Sequence, residues 1–457
     1  MAVLLVLQFP QKMRSFDLFD TLLGRFHYKP ESIFELVEER FPFPGFALFR
    51  TAAELRSDGT LRDIYRKLGE LIDISEEESA RLMDCEFASE QEQIFPIVEN
   101  LRLVQEGDLI VSDTYYDTAQ IEMLLQKLGF KQKVHIYASP RGKSSGAGWA
   151  LLQKAHDITS HLGDSAHSDV AMAKLYNIEG IHYTNGQLSP EERHLLELGQ
   201  GQLSYLCRAL RLSNSYETNS LAGRLWNDQC KWNVPILIHA SLYLHHFCQA
   251  NGKRRLLFTS RDGCLWIQIF RQLFPEYESI YFHASRHTYR YPTDSYIDYV
   301  KSIYTEDAVI VDSHGRGASC ELFFMNHFQT EPTYLAIVNV GEKHHAIVRS
   351  KPLYEEIEML NYDTCGTLYD VQNGAPLRCA IEYPVEYVLP MHACIAKCVE
   401  MLPHYKLDTF DRTVISHSLE SMKGNLAISD HFLHARYHCH IQGEAGLHHF
   451  HIKHVDE

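Results

Sequence analysis

The run RSFDLFDTLLGR, Arg14 to Arg25, passes from an apolar strand pattern into two aspartates three apart, Asp17 and Asp20, followed by Thr21 and two leucines. A carboxylate at the carboxyl end of a strand suits an open parallel sheet, where ligands bind in the crevice outside the strand ends. Outward from this run, to about Thr184, apolar stretches alternate with helical periods. The segments SFDLF, DLIVSD, KVHIYAS, TSHLGD and GIHYT are expected as strands, each followed by a turn or helix-like segment. That order predicts an α/β domain: a Rossmannoid parallel sheet with helices on its faces. Between its first two strands, about Gly24 to Glu106, lies an insertion rich in Glu, Leu and Arg at helical spacing, expected as an inserted helical bundle. The opening MAVLLVLQFPQ has no basic residue before its apolar run and no small-residue cleavage site, so it reads as a strand and not as a secretion signal.

Beyond NGQLSPEE the chain turns helical again, from about Glu191 to Ala250, as a linker bundle or as part of the next domain. KRRLLFTSRDG then opens a second alternating stretch that continues through SIYFHASR, DAVIVDSHGRGAS and TYLAIVNV, which predicts a second α/β domain. The expected organisation is therefore 1–190, 191–250, 251–395 and a C-terminal His-rich segment 396–457. No internal repeat or low-complexity tract is visible.

A chain of 457 residues calls for two or three domains, and 45% hydrophobic with 22% charged residues is material for buried cores. The excess of 59 acidic over 43 basic residues, a formal charge of -16, argues against a broad grip on nucleic acid or anionic membrane. The most apolar stretch, VPILIHASLYLHHF, is broken by histidines, so no membrane span is expected. Eleven cysteines scattered from Cys85 to Cys439 fit reduced thiols and a cytoplasmic location. Cys394 and Cys398 lie near His392, and nine histidines lie between His417 and His454, but these spacings match no strong zinc pattern. A helical face and a polar tail account for them.

The expected strand ends supply Asp17, Ser112 and Asp164, the turn after VHIYASP supplies Lys143, and Asp169 follows in GDSAHSD. Three carboxylates, a hydroxyl and a lysine at one crevice make a site for a hard cation and a phosphate, with the lysine neutralising transferring oxygens. These residues resemble, in order and spacing, the four motifs of the haloacid dehalogenase superfamily: DLFDT the first, LIVSD the second, RGKSSGAGW the third and GDSAHSD the fourth. The resemblance covers about Ser15 to Thr184, and the helical insertion resembles the cap carried by many members. It implies that Asp17 is the nucleophile of an aspartyl intermediate and that Thr21 and Ser112 hold phosphate oxygens. It further implies that Lys143 fixes Asp17 and the transferring group, and that Asp17, Asp164, Asp169 and the backbone carbonyl of Phe19 hold Mg²⁺. Phe19 departs from the family's phosphatases, which usually place there a second aspartate to protonate the leaving oxygen; phenylalanine cannot. Asp20 takes that role only where the loop turns it inward.

A second constellation lies in AVIVDSHGRGASCELFF, where a strand pattern ends in Asp312 and a glycine-bearing turn leads into a helix. Such a turn offers backbone N–H groups to phosphate. It resembles, less specifically, the phosphate-cradling loop of type I phosphoribosyltransferases, which implies substrate contacts at Asp312, Gly315, Gly317 and Ser319. FTSRDGCLW would bring Arg261 and Asp262 near a pyrophosphate, while Arg286 and Arg290 in ASRHTYR suit bidentate phosphate contacts. The expected function is a Mg²⁺-dependent hydrolase acting on a small phosphorylated metabolite or nucleotide, fused to a phosphoribosyltransferase-like domain. The alternatives are a binding protein whose first site holds a phosphorylated ligand without turnover, and a metal-independent dehalogenase.

Overall fold

The computed structural model describes residues 12–428 apart from 42, 340, 351–355 and 382. The strand expected in MAVLLVLQFPQ, up to residue 11, and the histidines from His431 onward lie outside the described residues. The chain divides into two compact units, Met1–Arg193 and His194–Glu457.

In the first unit five parallel strands stand in the spatial order His135–Ser139, Leu109–Asp113, Lys12–Phe16, Asp157–Gly163, Glu179–His182. The strand that comes first in the chain is central. The next two are laid down on one side of it, and the fourth returns to pair with its other edge. The strand order therefore reverses between Lys12–Phe16 and Asp157–Gly163, the point at which open α/β sheets form a crevice. Register pairs Phe16 with Leu162, and the Asp17 N–H donates to the Leu162 carbonyl at 2.8 Å, so Asp17 and Asp164 leave the sheet side by side. Both faces of the sheet are covered. Along Leu109–Asp113, Ile110 enters one apolar core while Leu109 and Val111 enter the core built on Trp149 and Leu152, the period-two alternation of a strand buried on both sides.

The insertion begins and ends in a short antiparallel pair, Leu23–Arg25 with Ile94–Pro96. Between them run the helices Glu31–Arg40, Phe46–Glu54, Leu61–Ile72 and Glu76–Glu92. Leu61–Ile72 buries Leu61, Ile64, Tyr65 and Leu68, one stripe at helical spacing, and starts at Thr60, whose side chain accepts the Asp63 N–H. Glu76–Glu92 starts with a reciprocal cap between Ser75 and Glu78. Inside the insertion Arg25 meets Glu90 at 2.7 Å and Arg50 meets Glu86 at 2.7 Å. The Tyr116 hydroxyl donates to Glu90 at 3.1 Å and the Tyr65 hydroxyl to Glu86 at 2.7 Å.

The second unit has its own parallel sheet, in the order His345–Arg349, Tyr334–Asn339, Ala308–His314, Arg255–Thr259, Glu278–Phe282. Its strand order reverses between Arg255–Thr259 and Ala308–His314. The helices Gly201–Leu212, Leu221–Asp228 and Val234–Asn251, weighed above as a linker or as part of the next domain, belong to this unit and pack with Val385–Met401 and Arg412–Met422. Val385–Met401 runs across the boundary expected at residue 395 and presents Cys394 and Cys398, four apart, on its buried face. Sequence patterning missed the edge strand His345–Arg349 and the hairpin Leu368–Gln372 with Ala375–Arg378, both short and weakly alternating. No helix among the described residues is long and apolar enough to cross a membrane. The ten described cysteines are free.

Asp228, 5% exposed at the end of Leu221–Asp228, accepts the Ala427 N–H at 2.7 Å. Burial pushes its carboxyl up to about 7, against the pull of that N–H. In the unfolded chain the group ionises near 3.8, so the folded state holds a proton that the unfolded state has lost, and stability falls as pH rises from about 4 to about 7. Asp228→Asn keeps an acceptor for Ala427 and removes this slope. Thermal denaturation is expected to show the variant equal to the wild type at pH 4 and more stable at pH 8 by about 1–3 kcal/mol. A wild-type protein as stable as the variant at pH 8 would contradict this account.

Candidate functional site

At the carboxyl ends of the first unit's strands a lysine is buried between two aspartates. The Lys143 ammonium, on a residue 2% exposed, donates to Asp17 Oδ1 and, at 2.6 Å, to Asp169 Oδ1. It is delivered by the loop after His135–Ser139, which Asp113 fixes by accepting the Lys143 N–H at 2.7 Å and the Ser144 N–H at 2.9 Å. Asp169 is raised on a wide helical turn, Ala166–Ala171, and its other oxygen accepts the Ser165 N–H at 2.9 Å. Behind it His161 Nε2 lies 3.2 Å from Asp169 Oδ1, and His161 Nδ1 lies 2.9 Å from the Ser15 hydroxyl. Burial keeps His161 neutral, with its value lowered to about 4, so the imidazole donates to Asp169 and accepts from Ser15. Thr21 donates its hydroxyl to Asp17 Oδ2 at 3.2 Å. Gly163 is required by close approach: a Cβ there would sit 2.4 Å from the Asp169 carboxylate.

The charges do not balance. Burial pushes Asp17 up to about 7 against the pull of Lys143, with Asp169 and Asp164 adding to the rise. Asp164 is pushed up to about 6 by burial and then by Asp20 and Asp169. Burial also works on Lys143 and Asp169, but their partners outweigh it: Asp17 and then Asp169 hold Lys143 above the ordinary lysine value, and His161 and then Lys143 hold Asp169 below the carboxylate range. Asp17, Asp164 and Asp169 each place an oxygen within 4.8 Å of the others. That donor set suits a hard divalent cation, which binds through a few carboxylate oxygens and retains water.

These groups form the floor of a cavity of about 480 Å³ that also includes Phe19, Asp20, Ser112 and Arg141. The insertion supplies the facing wall with Pro30, Glu31, Phe34, Thr51, Glu54 and Leu55. Asp20 takes left-handed backbone, φ 54°, donates its N–H to the Leu23 carbonyl at 2.7 Å and lines the cavity, so the loop does turn it inward. The Phe19 ring lies under the Arg25 guanidinium, 4.1 Å from ring centroid to Arg25 Cζ. Of the residues expected here, the structure brings Asp17, Phe19, Ser112, Lys143, Asp164 and Asp169 to one cavity, with Thr21 behind Asp17. Arg25, Asp113 and His161 were not foreseen, because their roles depend on partners 30 to 65 residues away or on strand register.

In the second unit Asp312 accepts the Tyr334 hydroxyl at 2.6 Å, and Gly317, φ 71°, precedes the helix Ala318–Phe328, in whose first turn Ser319 lies. A Cβ on Gly317 would meet the His344 ring at 2.8 Å, and one on Gly315 would meet the Tyr334 hydroxyl at 3.1 Å, so this turn is packed by the unit's own side chains. Asp262 is held well above the carboxylate range by burial, then by Glu358 and Asp312, against Arg261 and Arg286. His392 groups with Cys264 and Asp363, one ligand atom from each lying within 4.8 Å of the others, and not with Cys394 and Cys398. Residues two and six apart on a helix face different ways, so the proximity of His392 to these cysteines in sequence is not proximity in space.

No protein-family model matches the chain, and no curated protein matches it.

Gly163→Ala is expected to force Asp169 from its place beside Lys143 and to lower stability by about 1–3 kcal/mol, read by chemical denaturation. Unchanged stability would mean that the strand end and the wide turn shift together without cost.

Proposed function

We propose that the first unit is a Mg²⁺-dependent phosphohydrolase resembling the haloacid dehalogenase superfamily, acting on a small phosphorylated metabolite or nucleotide. The observation that carries this reading is the buried Lys143 held between Asp17 and Asp169, with Asp164 in reach of both carboxylates. A carboxylate attacks an anionic phosphoryl group only where opposite charge cancels the repulsion, and this arrangement supplies it. Asp17 would form the new bond to phosphorus as the bond to the leaving oxygen breaks; water would then cleave the aspartyl phosphate and release inorganic phosphate. Mg²⁺, held by Asp17, Asp164, Asp169 and the Phe19 carbonyl, would neutralise the carboxylates and the transferring oxygens. Thr21 would orient Asp17, and Ser112 would hold a phosphate oxygen. The insertion, acting as a cap, would exclude water and limit substrates to small molecules.

Phe19 supplies no proton to a leaving group, and Asp20, one residue on, is a carboxylate that lines the same cavity. A leaving group stable as an anion, such as that of an anhydride or acyl phosphate, needs none. In the second unit a phosphoribosyltransferase-like ligand site would lie at the strand-order reversal, at Asp312, Gly315, Gly317 and Ser319, where Tyr334 and His344 already pack against the turn. Phe19 also favours a second reading, a protein that binds a phosphorylated ligand without cleaving it.

Phosphate release should be measured with Mg²⁺ or EDTA on alkyl phosphates, acyl phosphates, diphosphates and phosphoribosyl pyrophosphate. Release is expected to require Mg²⁺ and to vanish in Asp17→Asn. Asp20→Asn should slow alkyl phosphates by about 10²–10⁴-fold and spare anhydrides. Release that survives Asp17→Asn would sink the proposal, and release seen only in Phe19→Asp would assign the site to binding.

A further inference from the structure

In the helical part of the second unit, a cavity of about 240 Å³ opens beside the start of the helix Gly201–Leu212. Its wall combines the first turn of this 12-residue helix with His239, Leu242, Lys406 and Asp408. No side chain caps the helix and no acid lies in its first turn. The N–H groups of Gly201, Gln202 and Leu203 have no acceptor among the described residues, whereas the next, Ser204, already donates to the Gln200 carbonyl at 2.9 Å. Three donors and the positive end of the helix dipole therefore face the cavity unneutralised.

His239 supplies an independent observation. It is 1% exposed, and its Nδ1 accepts the Asp411 N–H at 3.1 Å. An imidazole that accepts at Nδ1 carries its proton at Nε2, and His239 Nε2 has no partner. A buried donor left unpaired costs about 1–3 kcal/mol, and His239 lines this cavity. Gln202, also in the wall, has an unpartnered Oε1; a half-turn about its last side-chain bond presents its amide N–H instead. The other walls are apolar, with Leu203, Ile238 and Leu407. Lys406 stands at the exposed mouth opposite Asp408, whose Oδ1 accepts the Thr409 hydroxyl at 2.9 Å. Lys406 and Asp408 carry opposite charges at the mouth, which adds no net charge, so the neutral amides and imidazole suit a singly charged anion.

We propose that this cavity binds a small organic carboxylate, its oxygens taken by the Gly201–Leu203 amides and His239 Nε2–H and its short apolar body by Leu203, Ile238 and Leu407. The donors are neutral and fixed before the ligand arrives, so binding requires no ordering of long side chains. The site shares no residue with the Asp17–Lys143 cluster.

The test is isothermal titration calorimetry of the full chain with butyrate and, separately, with inorganic phosphate, both in EDTA. Wild-type protein is expected to bind one butyrate. His239→Phe, which keeps the ring and deletes the donor, should weaken binding about ten- to hundredfold, while His239→Gln should recover part of the loss. Melting curves identify any variant that fails to fold, and Gly201→Pro, a residue tolerated at the first helical position, removes one amide donor independently of His239. Absence of butyrate binding, preference for phosphate over butyrate, or binding untouched by both His239→Phe and Gly201→Pro would overturn the proposal.

Discussion

The first unit is organised around one buried ammonium. Asp17 and Asp169 are 5% and 0% exposed, and each would be costly to bury as an anion without a partner. Lys143 lies between them, and the neighbouring structure keeps it there. Asp113 clamps the lysine's loop through two backbone N–H groups, His161 and Ser15 support Asp169 from behind, and Gly163 leaves room for the Asp169 carboxylate. The strand order makes this possible, because the reversal between the first and fourth strands brings residues 147 apart to one crevice. One lysine lies among three carboxylates, and burial first, with the neighbouring acids adding to it, raises Asp17 and Asp164.

A second set of buried charges shapes the wall facing that cluster. Arg25 with Glu90, and Arg50 with Glu86, are ion pairs whose side chains are 6% exposed or less. Breaking such a pair by removing one partner leaves an uncompensated charge, so these pairs constrain geometry more than they add stability. Arg25 belongs to the short antiparallel stem and lies over the Phe19 ring, so the pairing with Glu90 inside the insertion also sets the place of the aromatic ring in the cavity. Arg50 stacks against Phe34, 4.5 Å from its centroid, and Phe34 and Glu54 both line the cavity. Fixed charges and aromatic faces thus line the cavity side of the insertion, beside the aliphatic core that insertion and sheet share through residues such as Ile33, Ile64 and Ile110.

The sequence made the parallel strands legible because each ends in a polar residue after an apolar run, as at Asp17, Ser112 and Asp164. The helical insertion was legible through its period, as in Leu61, Ile64, Tyr65 and Leu68. What the sequence left hidden depends on distance in the chain. His161 reads as one more residue of a strand until register sets it beside Ser15, and Arg25 reads as the end of a motif until Glu90 reaches it. His392 misleads in the opposite sense, being close in sequence to Cys394 and Cys398 but turned away from the buried face that those two share. Asp20 lay between these cases: its inward turn depends on a left-handed backbone, which an aspartate adopts more readily than most side chains.

The two sheets follow the same topological rule with different charge economies. In the second unit the strand-order reversal also gathers acids, Asp262 and Asp312 with Glu358 nearby, but the cations set against Asp262 are the arginines Arg261 and Arg286. An arginine spreads its charge over a rigid plane and stays ionised in any pairing, whereas a lysine concentrates it at a point. Lys143, held between two carboxylates, therefore suits a site where charge must meet one transferring group. Paired arginines among acids suit a site that grips planar or polyoxygen groups without needing to move a proton. Asp312 already spends one oxygen on Tyr334, so a ligand there would meet a carboxylate oriented from behind, much as Asp169 is oriented by His161. Topology fixes where the strand ends meet; the cation placed among the acids then decides which chemistry the crevice can support.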